Sequence, residues 1–488
     1  MADDASSRTP DLTPDPQSAA EAQTDSPLAG PRGHRGRARS TPRDLTKGSV
    51  PKNLWFLAWP QVAEGFLGAV DQVADLIWAG RLGFQAIAGL GVAQTYILML
   101  MTARMGLDAG MRSMIARAVG ARRIRYANHV LLQGLALTTV FVVVVVAVGL
   151  FLTEPLLRIV GLSDAVVSQA AGYMRIQFMA MAVMSYQRLS GGALQASGDS
   201  VTPLKAATVT RVTHLALSPI LIFGIWWFPR MGLPGAAAAN LIAQLLGVGI
   251  NFLALASGTG RLHLSLRGYA FDKGLSWRLV KVGAPAAVTG MQRAMSQLIV
   301  IGIVAPFGDA ALAAFALTRR AENVVNQSSR GLGRAAGALA AQNLGAGYAD
   351  RAKSSVKWSI VYVSGASVSL AAVFLLFPES VASFFNSDPE FVAQAGRWLS
   401  IVAVGYFSMN AVQVLTQAFN TSGATMAPMI ITLSTVWLVE IPLAFSLANL
   451  TALGEFGVPW AIVIGMSLRL VGFLWYYAKG RWLRTGMI

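Results

Sequence analysis

One pattern of small residues and prolines occurs twice in this 488-residue chain, 225 positions apart, and both copies lie in membrane-length apolar sequence. Pro60, Gly65, Gly83, Ala86, Ala88, Gly106, Leu107, Gly120 and Ala121 recur as Pro285, Gly290, Gly308, Ala311, Ala313, Gly331, Leu332, Gly345 and Ala346. The register holds further on, where Ser197, Gly198, Pro203, Gly232 and Pro234 return as Ser422, Gly423, Pro428, Gly457 and Pro459. Half of the chain is a duplicate of the other half. Two similar membrane bundles can rock about a site held between them, which is a common build for a transporter.

At 54% hydrophobic and 13% charged residues, with mean hydropathy +0.53, the chain is too apolar for a soluble protein of this length. Residues 1–50 differ: they are rich in Pro, Ala, Ser and charge, with acids giving way to bases, and are expected to be a disordered tail. The remainder divides into an N-lobe, 51–272, and a C-lobe, 273–488. The net charge of +16 would suggest a nucleic-acid partner for a soluble domain, but here the bases cluster in particular loops, which is a topology signal and argues against nucleic acid. With no Cys and four scattered His, neither a disulfide nor a metal cluster is expected, and no phosphate-binding Gly-Lys-Ser/Thr loop supplies an ATP engine. No cofactor is expected.

About 20 apolar residues cross a hydrocarbon core of about 30 Å. On that measure the spans fall at 53–79, 85–111, 128–152, 166–187, 204–228 and 232–257 in the first half, and at 280–305, 310–340, 356–377, 392–414, 426–450 and 456–478 in the second. Twelve transmembrane helices, six per half, make an all-α membrane protein. Lys and Arg concentrate in alternate loops, so both termini are expected on the cytoplasmic side of the inner membrane, with the two repeats in the same orientation.

Charges inside the bilayer carry the functional reading. An ionised side chain there costs about 2.5–3.5 kcal/mol on the insertion scale, so an intramembrane acid needs a partner or a purpose. Helix 1 has three, Glu64, Asp71 and Asp75, which share one face with Gly68 and lie beside Gln72. They are the candidate cation-coupling groups; the bland alternative is a set of fixed salt bridges to Arg104, Arg175 or Arg211. Pro60 removes a backbone hydrogen bond and marks a candidate hinge. His214, in the middle of helix 5, is a candidate titrating group because an unperturbed imidazole changes charge near physiological pH, although a lone buried His is more often a structural hydrogen bonder. In the second half, Arg293, Arg319, Arg320, Glu322, Arg330 and Arg334 crowd helices 7 and 8, with Asn410 on helix 10 and Glu440 on helix 11. Arg320 and Glu322 point to different sides of helix 8, so each is expected to find a partner elsewhere. Several Arg would suit an anionic ligand, while paired Arg acting as glue between helices is their commoner use.

Asp75-Leu76-Ile77-Trp78-Ala79-Gly80-Arg81-Leu82-Gly83, Gly120-Ala121, Gln342-Asn343-Leu344-Gly345-Ala346-Gly347, Gly198-Asp199-Ser200-Val201-Thr202-Pro203 and Arg320-Ala321-Glu322 stand in an order and spacing that resembles the multidrug and toxic compound extrusion (MATE) antiporters over about residues 52–485. The resemblance implies two six-helix bundles around a V-shaped central cavity, and export driven by entry of H+ or Na+. It implies that Asp75 is the coupling carboxylate, with Asp71 an extra acid one turn away. Positions that carry acids or Asn in some relatives are His214, Ser218, Gln292 or Arg293, and Asn410 here, which moves the expectation towards first-lobe coupling and protons. The expected activity is secondary antiport of amphipathic, cationic organic compounds by a monomer whose partners are those compounds and membrane lipids. A lipid or lipid-linked sugar flippase is the nearest rival; a channel or an intramembrane enzyme stands further off.

Overall fold

Apolar runs bounded by Gly, Pro and charge become helices in the computed structural model, which describes residues 44–82, 84–159, 164–225, 227–258, 260–265, 269–383, 385 and 388–484. Some side chains within those helices, including Gln72 and Asp75, are outside the described set. Among the described residues there are twelve long helices: α1 Val50–Leu82, α2 Phe84–Gly120, α3 Ile124–Phe151, α4 Asp164–Ser197, α5 Val201–Phe223, α6 Leu233–Ala256, α7 Lys273–Val304, α8 Asp309–Gly345, α9 Ala349–Leu376, α10 Pro389–Ser422, α11 Met426–Leu450 and α12 Gly457–Lys479. No strand occurs among them. Eight are long and apolar enough on their own to cross a bilayer; α1, α2, α4 and α8 complete the set and hold most of the buried charge.

The expected spans match these helices in order, and several of them fall short in length. α2 and α8 each run 37 residues, against the expected 85–111 and 310–340. At 1.5 Å per residue each is about 55 Å long, so both project beyond the hydrocarbon. The tail boundary also moves. Residues 1–43 lie outside the described set, but Leu45 is fully buried against α8, α9 and α10, and Asn53 Nδ2 donates to Lys47 O at 2.7 Å. Leu45 and Lys47, expected in the tail, are therefore part of the packed chain.

The cores do not respect the sequence boundary at 272/273. Leu54 and Leu57 at the start of α1 pack with Leu332, Leu339, Val414 and Phe419 from the second half. Leu275 and Leu279 at the start of α7 pack with Met114, Val119, Leu189 and Leu194 from the first. Leu54 and Leu279 are repeat mates, so each copy lends the opening of its first helix to the other copy. The anchors follow suit: Gln133 Nε2 of α3 donates to Ala270 O just before α7, and Arg351 Nη1 of α9 donates to Gly48 O just before α1.

The approximate two-fold relation is clearest where the C-terminal ends of α2 and α8 cross. A Cβ on Gly120 would overlap the Gln342 carbonyl oxygen, and one on Gly345 would overlap that of Arg117. Arg117 and Gln342 are themselves repeat mates, and each reaches across the seam. Arg117 donates to Ser422 O at 3.1 Å, and Gln342 donates to Ala196 O at 2.7 Å. Glycine is required because two backbones share the space that a methyl would fill.

Two local features have plain causes. α11 contains a π turn at Val436–Glu440, one residue short of Pro442, whose ring nitrogen cannot donate, and the wider turn absorbs that mismatch while carrying Glu440 inward. Outside the spans, Asp272 caps α7, and its hydrogen bond from the Leu275 amide holds its carboxyl below the usual range.

The crossing generates a stability test. Gly120→Ala and Gly345→Ala each force the backbones apart and should destabilise by about 1–3 kcal/mol, read as a lower Tm in detergent. Gly249→Ala, where added volume meets nothing within 4 Å, should leave Tm at or above that of the parent. An unchanged Tm in the first two would contradict the contact.

Candidate functional site

Among the described acids of the first lobe, Asp71 is the most constrained. It is 3% exposed on α1, where that helix lies against α5. Arg211 donates to its Oδ2 at 2.5 Å, and His214 Nδ1 lies 2.7 Å from its Oδ1. Arg211 and His214 stand three apart on α5, so one helical turn presents both to the same carboxylate. His214 is also 3% exposed. A neutral imidazole donating from Nδ1 leaves the trio formally neutral, since Arg211 and Asp71 cancel. A second ring proton adds one positive charge in a place with little water, so the trio can exist in two charge states. Among the described residues, both Asp71 oxygens face nitrogen donors.

Glu64, two turns earlier, faces a different helix: Gln195 Nε2 of α4 donates to its Oε2 at 3.2 Å. Gln195 in turn accepts from Arg112 Nη1 at 2.6 Å. Gly68 has open space beside it. The Gln72 and Asp75 side chains are outside the described residues, so the acid expected to lead the site has a place on α1 and no stated contacts. Pro60 is buried inside α1, which continues as helix to Leu82. Among the described residues, Arg211 is the one of the three expected bases that meets such an acid; Arg104 pairs with Asp108 at 2.9 Å and Arg175 with Glu154 at 2.6 Å.

The second-half candidates disperse. Glu322 finds its partner on its own helix, Arg319 Nη1 at 2.7 Å, correcting the expectation of a partner elsewhere; the reason is that Arg319, not Arg320, stands one turn back on the same face. Glu440, 5% exposed, receives Arg469 Nη2 at 2.5 Å. Arg293 donates to Gln413 Oε1 at 3.0 Å. Asn410 is fully buried, donating to Ser367 Oγ and accepting from Ser329 Oγ, both at 2.9 Å, so it ties α8, α9 and α10 together. No group of three or more potential metal ligands occurs among the described residues. The sequence reading missed Gln195, Gln413 and Arg469, neutral or basic residues whose only signal was a polar type in an apolar helix.

The Asp71 pair supports a double-substitution test. Arg211→Gln leaves a buried carboxylate without its cation and should cost about 3–5 kcal/mol, whereas Arg211→Gln with Asp71→Asn should recover most of that loss. Equal losses in the single and double variants, measured by unfolding in detergent, would show that the two residues do not interact.

A profile of the MatE family matches the chain twice, at residues 60–220 and 285–446, with starts separated by the same 225 positions as the repeat. "Probable multidrug resistance protein YoeA" of Bacillus subtilis (strain 168) is 28% identical over 88% of this chain and 94% of its own length. "FAD transporter" of Shewanella oneidensis is 26% identical over 84% of this chain and 90% of its own. Among solved structures, an outward-facing conformation of a multidrug resistance MATE family transporter superposes with a TM-score of 0.83 at 21% identity, covering 91% of this chain and 98% of that one.

Proposed function

Because the chain belongs to the MatE family, whose members are transporters, we propose that it is a secondary antiporter that exports amphipathic organic compounds from the cell in exchange for protons. The observation that carries this reading is the trio of Asp71, His214 and Arg211 buried between α1 and α5. A proton arriving there has two receptors in hydrogen-bond contact, a carboxylate and an imidazole. Delivered to the carboxylate, it cancels the negative charge that holds both Arg211 and the imidazole, so the neutral trio becomes cationic, the hold of α5 on α1 weakens, and a rearranged first lobe is favoured. Departure of the proton on the other side resets the grip. One charge carried across 100 mV is worth about 2.3 kcal/mol, roughly a fifty-fold gradient, so one net charge per cycle drives useful efflux.

Asp75, one turn beyond Asp71 on α1, is the partner acid in this scheme, and Pro60 is the hinge about which the helix moves. The relatives named for multidrug resistance and for FAD support export of organic solutes and leave a wide range of charge. Both termini on the cytoplasmic face complete the proposal, with the α2–α8 crossing as the closed inner end of the pathway.

In proteoliposomes with an acidic lumen, organic solute should accumulate inside from a panel of fluorescent cations and anions. A sodium gradient of equal size should drive none. His214→Gln should reduce the pH-driven rate by at least tenfold while the protein still elutes as a folded species. Sodium-driven uptake equal to the pH-driven rate would overturn proton coupling, and the absence of any gradient-driven uptake would overturn the antiporter reading.

A further inference from the structure

The face of α8 bearing Arg319, Asn323, Asn326, Arg330 and Arg334, at i, i+4, i+7, i+11 and i+15, is a polar stripe on a helix that runs through the membrane. Arg334 lies within electrostatic range of Arg112 on α2 and Arg188 on α4, Arg330 of Arg334, and Arg293 on α7 of Arg330. These five guanidinium groups connect the two lobes. Among the described residues, the carboxylates in range of the five are Asp108 and Glu64, and Asp108 is already bound to Arg104. Only Glu64 is left to face the five.

The five have no strong partners of their own. Arg112 and Arg293 donate to the neutral amides of Gln195 and Gln413. Among the described residues, Arg188, Arg330 and Arg334 make no hydrogen bond or ion pair. Arg188 is exposed although it stands nine residues inside the end of α4, so its side chain is accessible at that point of the helix. The Arg112 guanidinium rests on Gly192, where a Cβ would lie 2.7 Å from its Nε. Packing therefore holds one member of the cluster in place. Guanidinium groups gathered around a single carboxylate repel one another, and the chemistry that relieves them is an anion able to take several planar donors at once.

We propose that the space between α8 and the α2–α4 face binds a multivalent organic anion carrying phosphate or clustered carboxylate groups, and that the transported compounds belong to this class. The inference rests on the transport reading for the word "transported" and stands on the arginine cluster alone for binding. A soluble anion and an anionic lipid headgroup offer the same chemistry, and the test separates them.

Full-length protein in phosphatidylcholine nanodiscs should bind carboxyfluorescein, read by anisotropy, and inorganic pyrophosphate should displace it. Arg188→Gln and Arg334→Gln should each weaken binding by roughly tenfold, and the double variant by a hundredfold, while Arg230→Gln in an exposed loop should leave it unchanged. Since removing an unpaired charge relieves repulsion, both variants should also show a higher ligand-free Tm. Loss of carboxyfluorescein binding on moving the protein to phosphatidylglycerol discs would identify the headgroup as the occupant within the same class. Absence of anion binding in phosphatidylcholine discs, or wild-type binding in the double variant, would overturn the proposal. In acid-lumen proteoliposomes, uptake of ethidium without carboxyfluorescein sinks the anionic substrate class and leaves proton-coupled transport standing. Uptake of neither, with binding intact, sinks the transport reading and leaves the binding site.

Discussion

A buried charge must be compensated, and in a membrane the compensation has to come from another helix, a bound ligand or a proton. Asp71 meets that demand with Arg211 and His214 on a neighbouring helix. An aspartate held by arginine alone would be a fixed strut. An imidazole on the second oxygen adds a group that can be neutral or cationic, so the same contact is open to one more proton. Elsewhere the demand is met by fixed pairs, Arg469 with Glu440 and Arg319 with Glu322, or is left open along the basic face of α8.

The duplication gives this local chemistry a mechanical setting. Each copy places the opening of its first helix in the other copy's core, through Leu54 on one side and Leu279 on the other. The seam between α2 and α8 is bare backbone at Gly120 and Gly345, tied by Arg117 and Gln342 to carbonyls across it. Such a seam has few side chains to disentangle and can part as two rigid surfaces. The symmetric scaffold then carries asymmetric charge, with a titratable trio in one half and an excess of arginine in the other.

The repeat, the twelve helices and their order were legible in the sequence because hydropathy and spacing are local properties of the chain. Lengths were underestimated where α2 and α8 leave the hydrocarbon, since a helix that continues into water loses its apolar signal. Asp71, Arg211 and His214 were each legible as intramembrane polar residues, but their meeting depends on α1 lying beside α5, which no spacing states. Glu322 was read two residues from Arg320 when its partner stood three residues away at Arg319. The α8 stripe was present in the spacing of five residues, but glue between helices and a ligand site look alike until the neighbouring helices show which arginines are paired. Asn410 illustrates the converse: a polar residue at a position of interest turned out to be a three-helix joint.

The central claim, that protonation at the Asp71–His214 contact sets which end of the pathway is open, is tested most directly by a distance across the α2–α8 seam. The chain has no native cysteine, so spin labels at Arg123 and Tyr348, both exposed beside that crossing, report without background. Between about pH 8 and pH 5, the range over which an imidazole titrates, the distance distribution should shift in the parent protein and stay fixed in a His214→Gln background. A distribution that ignores pH in the parent, or that shifts equally in both, would contradict the account.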